Sequence, residues 1–150
     1  GFFPLAGMIL GMGIFVGGFA QIIAGIMEWK KGNTFGATAF SLYGVFWLSL
    51  VASIVLPTHE GLEAAGGPAM ATYLLIWGIF TLAMAIGTLR LTRHLQIVFF
   101  RLALLFFLLA AGDYSGSTMI TRIAGFEGIF CGASAIYAAL YLVLKEIYTS

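Results

Sequence analysis

The chain has 150 residues, 61% hydrophobic and only 9% charged, with a formal net charge of +1. A soluble domain keeps its surface wet with roughly 25% charged residues, so this composition excludes a water-exposed globule, and the near-zero charge gives no footing for nucleic acid or another polyanion. The single cysteine, Cys131, can form neither an intrachain disulfide nor a Cys/His metal site, and is read as a small membrane-core residue.

A helix crosses a ~30 Å hydrocarbon core with about 20 apolar residues. Runs of that length predict five spans in an all-α, polytopic transmembrane bundle: Phe3 to Met27, Phe35 to Leu56, Ala69 to Leu89, Leu95 to Gly112 and Met119 to Leu144. The runs are continuous rather than alternating, which disfavours a β-barrel. The first has no basic leader and is too long for a signal peptide, so it reads as a span. The links are short, and residues 1–150 form one transmembrane domain on this reading.

The links alternate in charge. Two lysines sit between Glu28 and Lys31, an acidic link runs from His59 to Glu63, a basic one from Arg90 to His94, Asp113 is acidic, and Lys145 follows the last span. The positive-inside rule places the basic links and the C-terminus in the cytoplasm and Gly1 outside. An external start for an uncleaved first span is unusual, and it predicts a further helix before residue 1.

Polar residues inside spans should face other helices or a wet path, because exposing them to hydrocarbon costs several kcal/mol. In the second span Thr34, Thr38, Ser41, Ser49 and Ser53 fall on one helical face. In the last span Glu127, Cys131, Ser134, Ala138, Tyr141 and Lys145 do so, and in the first Gly7, Gly11, Gly17, Gly18, Gln21, Gly25 and Glu28. The glycine stripe reads as a packing seam ahead of a pore lining, whereas the Thr/Ser stripe fits either. Glu127 lies about eight residues, ~12 Å, inside its span; it is either a proton acceptor or a carboxylate held by Arg122 or a neighbouring helix. Arg101 is read as snorkelling to the interface ahead of binding an anion. Trp29, Trp47 and Trp77 are read as interfacial or packing residues. No catalytic set or metal-spaced cluster can be assembled, so no enzyme, metal or cofactor is expected.

Gly13 to Trp47 reads GIFVGGFAQIIAGIMEWKKGNTFGATAFSLYGVFW. With LIWGIFT (Leu75 to Thr81), LQIVFF (Leu95 to Phe100) and CGASAIY (Cys131 to Tyr137), it resembles the acetate uptake transporter family of microbial succinate and acetate permeases. The resemblance covers essentially the whole chain. It implies six transmembrane helices, the first of which, with its Asn-Pro-Ala-Pro-Leu-Gly motif, does not occur here. It also implies a ring-shaped homo-oligomer, a hexamer, in the cell membrane, with a path for acetate or succinate in each protomer. By residue match Tyr43 and Leu102 contribute to a hydrophobic constriction, and Ala135 influences which carboxylate passes; Arg101, beside Leu102, departs from the small polar residue the family leads one to expect. An apolar constriction favours proton-linked passage. Gln21, Asn33, Thr34, Thr38 and Ser134 are candidates to hold the carboxylate, and Glu127 to couple a proton. A passive pore for neutral solutes or ammonia, and a membrane sensor or scaffold, are the competing functions.

Overall fold

A computed structural model describes residues 7–59 and 61–149, the side chain of His59 excepted. Phe3 to Ala6, which open the first predicted span, lie outside the described residues. Five helices follow: α1 (Gly7–Lys30), α2 (Thr34–His59), α3 (Gly67–Gly87, continued by a 3-10 turn over Thr88–Arg90), α4 (Arg93–Ser115) and α5 (Thr118–Thr149). No strand occurs among the described residues, and all five helices are long and apolar enough to cross a membrane. The chain is an integral membrane protein. The observed ends run two or three residues past the predicted ones in most cases, since a helix does not stop where hydrocarbon does. α5 extends furthest, to Thr149: at 1.5 Å per residue its 32 residues span ~48 Å, so its last turns, with Lys145 and Glu146, reach beyond a ~30 Å core unless it tilts.

The chain divides into two compact units, Gly1–Ala64 and Ala65–Ser150. In the first, α1 packs against α2 through its glycines. A Cβ added to Gly17 would stand 2.7 Å from the Trp47 ring, one on Gly18 2.5 Å from Leu48, and one on Gly13 2.9 Å from Val51. Gly25 lies against Ser41 more tightly still, its absent Cβ overlapping both the hydroxyl and the backbone nitrogen. Gly44 of α2 returns the contact against the Gly18 carbonyl. Without water to drive apolar surfaces together, close backbone approach and dispersion hold such a pair. The middle of α1, Gly13–Ala20, is wound as π-helix, a loosening that neighbouring glycines tolerate.

The turn between these helices is set by two residues. Gly32 adopts φ 75°, the left-handed region that ends a helix cheaply. Asn33 then caps α2, its Oδ1 accepting from the Gly36 N–H at 3.1 Å while its amide donates to Glu28.

In the second unit α3 packs on α4 and α4 on α5. Small residues again occupy the seams: Ala85, Ala124, Thr81 and Thr88 are fully buried and Ala103 nearly so, with the larger Leu74, Phe99 and Phe106 buried beside them. Gly78 leaves room for Phe107, and Gly112 for Thr121. Gly116, at φ 65°, ends α4, and Ser117 starts α5 by accepting from the Ile120 N–H. Large apolar side chains point away instead: Met8, Phe15, Ile76, Ile129 and Ile136 are all more than half exposed. This pattern of small residues within and greasy ones without suits lipid as the solvent.

Gly25→Val is expected to destabilise the protein by about 1–3 kcal/mol through overpacking at a site that cannot yield. Gly11→Ala, at a position with open space, should be near neutral. Thermal unfolding in detergent of both variants checks the difference; equal midpoints would show that the α1–α2 seam is not built on Gly25.

Candidate functional site

The candidate residues fall into two groups, one in each unit. Gln21, Asn33, Thr34, Thr38 and Tyr43 belong to the first, and Leu102, Glu127, Ser134 and Ala135 to the second.

In the first unit, Tyr43 is buried, at 8% exposure, as the tenth residue of α2. Asn33 and Thr34 sit at the start of the same helix, ~14 Å away along its axis at 1.5 Å per residue, so they do not share one subsite with Tyr43. Asn33 is occupied as a cap, Thr34 is exposed and Thr38 half-buried. Gln21, on α1 just after the π-helical segment, has its Oε1 buried with no hydrogen-bond partner among the described residues. The Thr/Ser stripe divides: Ser41 faces the Gly25 backbone, whereas the Ser49 and Ser53 hydroxyls donate to the carbonyls of Phe46 and Leu50 on their own helix.

The second unit holds an ion pair inside the spans. Arg101 Nη1 lies 3.2 Å from both Oε1 and Oε2 of Glu127. Arg101 is eight residues, ~12 Å, into α4, and Glu127 nine residues, ~13 Å, into α5. The helices run in opposite directions, so these depths, counted from opposite sides of a ~30 Å core, place both charges near one level. The expectation that Arg101 snorkels is therefore replaced by pairing, and the partner that holds Glu127 is the neighbouring helix rather than Arg122. Pairing wins because an isolated charge at mid-bilayer costs about 2.5–3.5 kcal/mol or more, while a partner 3.2 Å away cancels most of its field. The guanidinium also stands 5.6 Å from the centroid of the Phe130 ring.

Two more residues of the α5 stripe, Cys131 and Tyr141, meet α4. Cys131 is buried with its thiol 3.9 Å from the Val98 carbonyl, and Ala138 is buried. Tyr141 stacks on His94 at 4.6 Å between centroids, and the Lys145 ammonium stands 5.9 Å from the centroid of the Tyr141 ring. His94, which the charge pattern placed in a link, is thus part of the seam on the first turn of α4. Ser134 donates to the Cys131 carbonyl at 2.7 Å, Leu102 is half-buried beside Arg101, and Ala135 is exposed. Among the described residues no three His, Cys, Asp or Glu gather into a metal site.

Sequence reasoning considered Arg101 and Glu127 separately and missed the pair. The signal was present: two opposite charges in consecutive spans at complementary depths.

Arg101→Gln should destabilise by about 3 kcal/mol, because it strands the enclosed Glu127 carboxylate, and Glu127→Gln by less, because the Arg101 guanidinium keeps an exposed edge. The double variant should recover most of that loss. Unfolding midpoints of the three variants check it, and additive losses would mean that the two charges do not interact.

Residues 5–149 match the GPR1/FUN34/yaaH family. The chain is 53% identical over 146 residues to the succinate-acetate/proton symporter SatP of Escherichia coli K12, covering 97% of this chain and 78% of that protein. It is 52% identical over 155 residues to an uncharacterized protein of Methanothermobacter thermautotrophicus, covering 99% of this chain and 76% of that one. The solved structure of the bacterial acetate channel SatP superposes with a TM-score of 0.97 at 52% identity, over 99% of this chain and 82% of that one.

Proposed function

The chain belongs to the GPR1/FUN34/yaaH family, and on that premise we propose that it carries acetate, with succinate as a second substrate, across the cell membrane through a path in each protomer. The observation that carries this reading is the likeness to the acetate channel, which extends over 99% of this chain at a TM-score of 0.97. A symporter and a channel are both named among the relatives. Proton-linked passage is the reading we adopt, because an apolar constriction resists a bare anion more than a neutral acid.

Tyr43 and Leu102 contribute to that constriction, and Ala135 sets the space beside it. The burial of Tyr43 on α2 and the half-buried position of Leu102 on α4 are compatible with these roles. Gln21, Asn33, Thr34, Thr38 and Ser134 hold the carboxylate by hydrogen bonds on its way. Gln21, whose Oε1 has no hydrogen-bond partner among the described residues, turns its amide N–H toward the carboxylate. Asn33 and Ser134 would bind substrate by exchanging the bonds they already make. Glu127 takes up the coupled proton. The two units act as one transmembrane domain, the protein assembles as a homohexamer in the bilayer, and the basic links with the C-terminus face the cytoplasm. It is a transporter rather than an enzyme and needs no cofactor.

Uptake of radiolabelled acetate into proteoliposomes should exceed that of empty vesicles and rise under an inward proton gradient. Absence of acetate uptake would overturn the transport reading, and flux indifferent to the gradient would remove the coupling. Tyr43→Ala should change acetate flux or the acetate-to-succinate preference several-fold; if both stay at the parent values, Tyr43 is not at the constriction.

A further inference from the structure

The Arg101–Glu127 pair leaves most of its hydrogen-bonding capacity unspent. Both contacts to the carboxylate come from Nη1, and neither Nε nor Nη2 donates to any described residue. A guanidinium carries five N–H donors in a planar fork that matches a carboxylate two at a time. Here the fork is turned so that only one nitrogen meets Glu127, while 41% of the Arg101 side chain is exposed against 14% of Glu127. A purely structural ion pair in lipid would bury the arginine and present it bidentately, since every unpaired donor in hydrocarbon costs energy. The arrangement seen has the opposite bias: the carboxylate is enclosed and the arginine keeps an open edge.

We propose that Arg101 is a carboxylate-binding residue of the transport path, with Glu127 as the resident counter-ion that a substrate carboxylate displaces when Glu127 takes a proton. The proposal rests on the carboxylate-transport reading above and deepens it. Charge balance dictates the coupling. At rest the pair is neutral. A substrate anion added alone would leave one net negative charge among apolar side chains; with one proton on a Glu127 oxygen, the guanidinium, the neutral acid and the substrate anion again sum to zero. The proton comes from water on the side of entry and leaves to water on the side of exit, as Glu127 reclaims Arg101 and expels the substrate.

The surroundings leave few other groups to intervene. Within the C-terminal unit, Glu127 is faced by the Arg101 guanidinium from α4 and, one turn along α5, by the buried Cys131 thiol. His94 of α4 lies two turns nearer the basic link, stacked on Tyr141. Arg122 is five residues back on α5, on another face of that helix. α3, which packs on α4, carries no charged residue from Gly67 to Gly87, and its one titratable side chain, Tyr73, lies edge-on to Trp77. Leu102 follows Arg101 directly, so an anion held there would stand beside the residue assigned to the constriction.

Acetate counterflow in proteoliposomes, with equal pH inside and out and empty vesicles subtracted, tests this. With one proton linked to substrate binding, the half-saturating acetate concentration of the parent protein should rise up to about tenfold per pH unit on the alkaline side of the coupling group. In Arg101→Gln/Glu127→Gln, which removes both charges together, that slope should vanish. If the slope survives in the double variant, the proton enters on the acid itself and the proposal is overturned. No counterflow by the parent protein at any pH would instead overturn the transport reading. Infrared difference spectra of the parent protein provide a second measurement that does not need the double variant to fold. Adding carbon-13 acetate, whose own bands are isotope-shifted, should produce a protonated side-chain carboxylic acid band, and that band should move in Glu127→Asp. Its absence from the parent protein, or its persistence unmoved in the variant, overturns the proposal.

Discussion

Lipid cannot hydrogen-bond a backbone, and every peptide group within the spans must therefore be satisfied inside its own helix. Once helices are obligatory, they can associate only through what their surfaces allow, since burying leucine against leucine gains little over burying it against acyl chains. The seams accordingly belong to residues that subtract bulk. Gly13, Gly17, Gly18 and Gly25 let α1 settle onto α2, while Ala85, Ala103 and Ala124 occupy the most buried positions of the second unit. Many large side chains do the opposite of what they do in a soluble core and cover the outside, while Tyr43, Phe46, Leu74, Phe99 and Phe106 are buried.

The same constraint governs polar chemistry. Serine and threonine hydroxyls can be kept in hydrocarbon by donating to a carbonyl of their own helix, as Ser49, Ser53 and Ser134 do. Charges have no such local remedy. Arg101 and Glu127 have to find each other across 26 positions of sequence, and only the antiparallel run of α4 and α5 brings them to one level. Such a pair is weak evidence of stability, because apolar residues of similar volume would often serve as well. Its presence in a chain otherwise so sparing of charge is the reason the pair, and not the apolar seams, carries the proposed carboxylate site.

The links serve the spans with little material. Gly32 and Asn33 end one helix and begin the next, and Gly116 and Ser117 repeat the device on another turn. Gln96 of α4 donates to the carbonyls of Thr88 and Leu91, tying the short bend after α3.

The sequence by itself determined that the chain is helical and membrane-spanning, where its five spans lie to within a few residues, and, through GGFAQIIAG, KKGNTFG and CGASAIY, which family it resembles. These were legible because hydrophobic length and glycine spacing are local quantities, written in consecutive residues. What the stripes face came from the packed helices alone: that Ser41 lies on Gly25, that Cys131 approaches Val98 and Tyr141 stacks on His94 of α4, that Asn33 is spent as a cap, and that Arg101 is held by Glu127 instead of reaching for the interface. A one-dimensional pattern gives each polar residue an angle on its own helix but no neighbour. Which neighbour it meets depends on how helices are paired, turned and shifted against one another, and that is settled by packing across the seam.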